Sequence, residues 1–270
     1  MLDVKQATKV FSAGTASEHH ALNGLDLHLD DGEFVTIIGS NGAGKSTLFN
    51  AICGNYWLDQ GQIFLDGQDI TFLSEHRRAR QIGRVFQDPM KGTAPHLTIE
   101  ENLALAYTRK DRKPFRSAVR KQEKDLFRTE LEKYHMDLEN RMKTKVGLLS
   151  GGQRQVVTLL MCTLVMPKLL LLDEHTAALD PATAEKVLHL TRQIVAERQI
   201  TCLMVTHNMH QALTLGNRTL MMNAGNIVLD IAGEERAAMS VDDLLEQFAL
   251  RAGKALDNDR ILFSKVETQE

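Results

Sequence analysis

One octapeptide limits what this chain can fold into more than any other feature. Gly39-Ser40-Asn41-Gly42-Ala43-Gly44-Lys45-Ser46 fits G-x-x-x-x-G-K-[ST]. It stands between the apolar run Phe34-Val35-Thr36-Ile37-Ile38 and Ser46-Thr47-Leu48-Phe49-Asn50-Ala51-Ile52, whose apolar spacing is helical. Strand, glycine turn and helix in that order make a cradle for phosphate. The glycines let successive N–H groups face inward, and the following helix turns its positive end to the same anion. Residues Gly39, Ser40, Asn41, Gly42, Ala43, Gly44, Lys45, Ser46 and Thr47 are therefore expected to wrap a polyphosphate, with Lys45 on the β- and γ-phosphates and the Ser46 hydroxyl on Mg²⁺.

Such a loop belongs to an α/β fold, and the rest of the chain supplies the elements for one. Short apolar runs at 25–29, 34–38 and 62–65, separated by Asp and Gly turns, read as strands. From about 88 to 158 the pattern changes to charged helical segments such as 99–107 and 117–136, expected to form a helical subdomain inserted in the core. The core resumes with a strand at 169–172, a helix at 182–198, a strand at 201–206 and a last strand pair at 218–222 and 226–231. The expected division is one domain over 1–230 and a short, partly helical tail over 231–270.

At 270 residues and 43% hydrophobic the chain can bury a core without staples, and a formal net charge of -3 carries no electrostatic footprint for nucleic acid. Cys53, Cys162 and Cys202 are odd in number and each lies in an apolar stretch, the pattern of buried thiols in a reducing compartment. The N-terminus has no basic segment followed by an apolar one, so no signal peptide is expected. The longest apolar stretches fall short of the ~20 residues that span a bilayer, so membrane attachment is expected only through a partner.

Leu169-Leu170-Leu171-Leu172-Asp173-Glu174 is an apolar strand ending in two acids, as where a buried strand delivers its C-terminal end to a ligand. Taken alone, an acidic strand end is an ordinary exposed turn. Beside a phosphate loop it divides into two roles, because successive strand side chains point oppositely: Asp173 for the Mg²⁺ shell, Glu174 for orienting or deprotonating an attacking water. Leu149-Ser150-Gly151-Gly152-Gln153 opens another helical run, a second helix N-terminus with a hydroxyl and glycine amides suited to phosphate oxygens.

That pentapeptide, some 20 residues before the acidic strand end, resembles the signature motif of the ATP-binding-cassette (ABC) ATPases. The resemblance runs in order from Phe11 to about Asp230 and implies a P-loop NTPase fold of the ABC type: a RecA-like core, an N-terminal antiparallel β region and an inserted helical subdomain. It implies that Phe11 stacks on adenine, that Gln87 touches Mg²⁺ and the attacking water, that His207 contacts the γ-phosphate, and that Asp180 communicates between two subunits. It also implies a head-to-tail dimer, each ATP lying between one subunit's phosphate loop and the partner's Ser150, Gly151, Gly152 and Gln153.

Two departures stand out. The family has proline and serine where this chain has His175 and Ala177, which suggests a looser strand exit. The helix after Gln153 is also more apolar than is usual in the family. The basic run Arg109-Lys110-Asp111-Arg112-Lys113, with Arg116, Arg120 and Lys121, reads as a solvated face, the other reading being contact with anionic lipid headgroups.

The expected function is that of an ATP-hydrolysing subunit that powers solute transport by an ABC transporter, an importer of amino acids or similar small solutes, using ATP and Mg²⁺ and peripheral on the cytoplasmic face of the cell membrane. Its expected partners are integral membrane permease subunits, a second ABC ATPase subunit and, through the permease, a solute-binding protein, with no nucleic acid. Residues 95–103 resemble the permease-facing part of importers of amino acids and similar small solutes, and the tail is shorter than the regulatory domains of many sugar or methionine importers. The alternatives are an exporter ATPase and a soluble ABC ATPase of translation or DNA repair.

Overall fold

The computed structural model describes residues 1–110 and 120–252. In chain order the elements are β1 (Leu2–Phe11), β2 (His19–Leu29), β3 (Phe34–Gly39), α1 (Lys45–Cys53), β4 (Gln60–Leu65), β5 (Gln68–Asp69), α2 (Glu75–Arg78), β6 (Ile82–Val85), α3 (Ile99–Tyr107), α4 (Lys121–Glu132), α5 (Gly151–Thr163), β7 (Leu169–Asp173), α6 (Pro181–Arg198), β8 (Thr201–Val205), α7 (Met209–Thr214), β9 (Arg218–Asn223), β10 (Asn226–Ala232), α8 (Gly233–Ala238) and α9 (Val241–Ala252). The chain divides into two units, Met1–Arg78 together with the residues from Thr201 onward, and Ala79–Ile200.

In the first unit, β2, β1, β4 and β5 form an antiparallel sheet, with Leu2 opposite both Leu29 and Leu65, and Val4 opposite both Leu27 and Ile63. These side chains are almost wholly buried on one face. β1 escapes the periodicity reading for a local reason. Its register shifts between Val4 and Ala7 and again beyond, and Gln6 sits at φ 49°, so apolar and polar residues do not alternate cleanly.

The second sheet of this unit places β3 between β8 and β9, parallel to both, with β10 antiparallel to β9. β3 is buried along its whole length, as expected of a central parallel strand. Helix α9 packs against this sheet. Leu244 and Phe248 join Ile38, Met221, Leu229, Ile231, Met209 and Ala212 in one cluster, each of the two stabilising by roughly 1.5–3 kcal/mol. Residues 241–252 of the expected tail thus share the core of the preceding strands, and residues 253–270 lie outside the described residues.

The second unit contains the parallel pair β6 and β7, register Ile82 to Leu169 through Val85 to Leu172, and helices α3 to α6. Thr98 caps α3 in a reciprocal pair with Glu101, and Ile99 and Leu103 are buried. α4 buries Phe127 and Leu131, with Tyr107 edge-on to Phe127 at 5.8 Å between centroids. The sequence reading has no strand at β6, whose four residues include a glycine and an arginine and carry no period. Of the basic run, Asp111, Arg112, Lys113 and Arg116 lie outside the described residues; Arg109 turns inward to the carbonyls of Ala106 and Met161. Among the described residues no helix is long and apolar enough to cross a membrane.

Candidate functional site

The phosphate loop closes over its own lysine. Lys45, only 6% exposed, donates from Nζ to Gly39 O at 2.7 Å and Ser40 O at 2.9 Å, so the ammonium is pinned inside the ring of backbone that precedes it. Gly44 is the N-cap of α1 at φ 102°, where a β-carbon would sit 2.4 Å from Ala21 O. Only glycine fits there. No side chain caps α1, so its first amides remain directed at the loop as anion donors, beside the exposed Ser46 and the half-buried Thr47. At the other end of α1 the buried guanidinium of Arg78 donates to Ala51 O and Ile52 O. It satisfies carbonyls the helix leaves open and anchors the helix from behind.

β3 and β8 are parallel neighbours, Ile37 opposite Val205, so the phosphate loop and the loop carrying His207 leave the same end of one sheet. This is the sheet edge where open α/β folds hold ligands. His207 is exposed, and Asn208 after it caps α7 through Gln211 N at 2.9 Å. Phe11, half-buried at the end of β1, stands edge-on to Tyr56 at 5.3 Å, with the Lys9 ammonium 5.7 Å from its centroid. Tyr56 is an aromatic neighbour of the expected base-stacking ring that the sequence reading did not single out.

In the second unit the four leucines of β7 are fully buried and lead to half-buried Asp173 and Glu174. Arg84 of β6 donates to Asp173 Oδ2 at 2.7 Å. Glu174 adopts φ 47°, a left-handed backbone unusual for a side chain of its size, and its carbonyl accepts from Ala177 N at 2.9 Å. His175 is 1% exposed. Because the Thr191 hydroxyl donates to Val187 O, it accepts from His175 Nε2 at 3.1 Å, which places a proton on Nε2. Burial holds its pKa down to about 4. The strand exit is therefore anchored rather than loose, because a buried imidazole tied to α6 stands where the family has proline. Gln87, exposed, lies two residues beyond β6, and Phe86 O before it accepts from Gln155 Nε2 of α5 at 3.4 Å.

Ser150 caps α5 reciprocally with Gln153: Gln153 N donates to Ser150 Oγ and Ser150 N to Gln153 Oε1, both at 3.2 Å. Asp180 caps α6 by accepting from Thr183 N at 3.1 Å, and Thr183 holds its carboxyl below the usual carboxylate range. The two helix starts meet at Gly152, where a β-carbon would come within 2.1 Å of Thr183 Cγ2. Ser150, Gly151, Gly152, Gln153 and Asp180, far apart in sequence, thus share one corner of this unit.

The family described as ABC transporter matches residues 22–177. The tyrosine transport ATP-binding protein of Clostridioides difficile (strain R20291) is 45% identical over 248 residues, 92% of this chain and 98% of that protein. The chain belongs to the ABC transporter family. The cassette is also similar to the thiamine import ATP-binding protein of Photorhabdus laumondii subsp. laumondii, 36% identical over 211 residues, 78% of this chain and 85% of that one. A solved dimeric ATP-binding cassette in a post-hydrolysis state, bound to ADP and Pi, superimposes with TM-score 0.73 at 28% identity, covering 86% of this chain and 98% of that one. The cassette has the P-loop ABC ATPase fold. It binds and hydrolyses ATP, and that hydrolysis powers solute transport.

Each unit by itself carries side chains with the chemistry of hard-cation ligands. In the first, Ser46 offers a hydroxyl; in the second, Gln87 offers an amide oxygen and Asp173 a carboxylate bonded to Arg84. Arg78, Arg84 and Thr183 have supporting roles that the sequence reading missed. The one sequence signal was an arginine inside each of two otherwise ordinary segments.

Proposed function

We propose that this cassette energises uptake of an amino acid or a similar small solute. Two copies would dock on integral membrane permease subunits at the cytoplasmic face of the cell membrane, and a solute-binding protein would reach them only through the permease. The observation that carries this reading is the end-to-end similarity to a tyrosine transport ATP-binding protein, over 92% of this chain and 98% of that one. The dimeric state of the similar solved cassette supports the pairing. No nucleic acid enters this reading.

In the proposed site Phe11 stacks on adenine, and Gly39 to Thr47 with Lys45 cradle the phosphates. From the partner copy, Ser150, Gly151, Gly152 and Gln153 close on the γ-phosphate, and Asp180 links the two sites. Ser46, Gln87 and Asp173 would hold Mg²⁺, which when bound neutralises charge on the β- and γ-phosphate oxygens. Glu174 orients the water and takes its proton as the water oxygen bonds to the γ-phosphorus. The bond from that phosphorus to the β–γ bridging oxygen breaks, and the bridging oxygen leaves with ADP. Lys45, Ser150 and His207 donate to the equatorial oxygens, where charge is spread in the transition state.

The test is to tag the chain, extract native membranes in mild detergent, identify what co-purifies and reconstitute it for ATP-driven uptake of labelled tyrosine and other amino acids. A stoichiometric polytopic membrane protein and inward amino-acid flux are expected. Recovery only from the soluble fraction with ribosomes or DNA, or outward flux, would overturn the reading.

A further inference from the structure

β6 and β7 face one another as Ile82 to Leu169, Gly83 to Leu170, Arg84 to Leu171 and Val85 to Leu172. An arginine in that company is costly, since a guanidinium taken from water is compensated only where its charge and its donors find partners. The charge of Arg84 finds a partner at the hydrolytic end of the pair. Its side chain is 12% exposed and that of Asp173 16%, and the 2.7 Å bond from the guanidinium to Asp173 Oδ2 is charge-assisted. The same guanidinium carbon lies 4.7 Å from the centroid of Phe86, over its ring. Behind the strand, Arg84 O accepts from Cys162 Sγ of α5 at 3.2 Å, which ties the backbone at Arg84 to that helix.

Two consequences follow from one side chain. Arg84 donates to Oδ2 of Asp173 and so fixes the orientation of that carboxylate at the end of the strand. Phe86 immediately precedes Gln87, so the guanidinium is fastened at once to the strand end bearing the two acids and to the root of the loop bearing the glutamine. We infer that Arg84 is a positioning residue of the hydrolytic site, orienting Asp173 toward the metal–nucleotide complex and holding the Gln87 loop to the same strand end through Phe86. This rests on the magnesium-dependent ATPase reading proposed above.

The test uses the full chain, a fluorescent ATP analogue titrated in EDTA and then with rising Mg²⁺, and ATPase kinetics resolved into kcat and KM. Arg84→Met keeps most of the side-chain volume and removes the charge. It should bind nucleotide in EDTA like the wild type, need about tenfold more Mg²⁺ for half-saturation, and lose about tenfold or more in kcat, the usual scale for partners of metal-shell residues. Arg84→Lys should recover most of the Mg²⁺ response but less of kcat, because an ammonium restores the charge and not the planar stack on Phe86. Phe86→Leu should lower kcat and shift the Mg²⁺ response less than Arg84→Met does, because Asp173 keeps its partner while the Gln87 loop loses its anchor.

A wild-type Mg²⁺ requirement in Arg84→Met, with only a lower melting temperature, would reduce Arg84 to a structural ion pair. Tighter Mg²⁺ dependence would make it a competitor of the metal, which also overturns the inference. If Arg84→Met does not fold, wild-type values in both Arg84→Lys and Phe86→Leu overturn it instead. Absence of any Mg²⁺ effect in the wild type would sink the parent reading, an outcome distinct from a normal wild type and unaffected variants.

Discussion

A β-carbon on Gly152 would lie 2.1 Å from Cγ2 of Thr183, far inside any real carbon contact. The start of α5, with Ser150 as its cap, and the start of α6, with Asp180 as its cap, are in contact through this absent side chain. Gly152→Ala should therefore cost about 1–3 kcal/mol in stability and lower ATPase activity by displacing both motifs. Thr183→Ser, which removes the offending methyl and keeps the hydroxyl, should restore part of both in the double variant. Thermal melts and kcat of the four-member cycle check this; additive losses would contradict the contact.

Glu174→Gln keeps the side-chain shape and removes the carboxylate that is to receive the proton of water. ATP affinity should persist while kcat falls by about 10²-fold or more, so that ATP-dependent dimers accumulate on gel filtration. Undiminished turnover would reject Glu174 as the base.

The shared-site arrangement can be tested by mixing. Lys45→Ala removes the pinned ammonium and Ser150→Arg blocks the cap of α5, and each alone should be nearly inactive. Mixed chains should regain activity, approaching one working composite site per heterodimer, because one intact phosphate loop can face one intact Ser150. No recovery at any ratio would argue against sites shared between subunits.

His175 makes acid stability a further readout. Its folded pKa, about 4, lies below the ordinary histidine value of 6.5 because the ring is buried. Between those values the unfolded chain binds a proton that the native state refuses. The neutral ring's contribution is thus intact above about pH 6.5 and is lost as pH falls toward 4, by up to about 3 kcal/mol. Denaturant melts of wild type and His175→Asn from pH 8 to 4 should show the variant's stability falling less steeply in that window. Parallel pH profiles would refute the burial of a neutral imidazole.

Much of the candidate site was legible because its chemistry is contiguous. Gly39 to Ser46, Leu169 to Glu174 and Leu149 to Gln153 each set several backbone or carboxylate positions within a few residues, so residue type and spacing suffice to read them. The helices at 99–107 and 182–198 were equally plain from their period, and the structure places them at Ile99–Tyr107 and Pro181–Arg198. β1 was not, since its bulges break the alternation, and β6 was too short to carry any.

What the sequence alone determined is the chemistry along the chain: a phosphate cradle, an acidic strand end and a second helix start at Ser150, each specified by neighbours a few bonds away. Tertiary structure alone decided who supports them. Arg84 reaches Asp173 across 89 residues, Arg78 closes α1 from beyond two strands, Thr183 fills the space that Gly152 leaves, and Phe248 brings α9 onto the sheet. Burial, close approach and ion pairing depend on which surfaces the fold presses together, and many sequence-distant partners would satisfy the same local pattern.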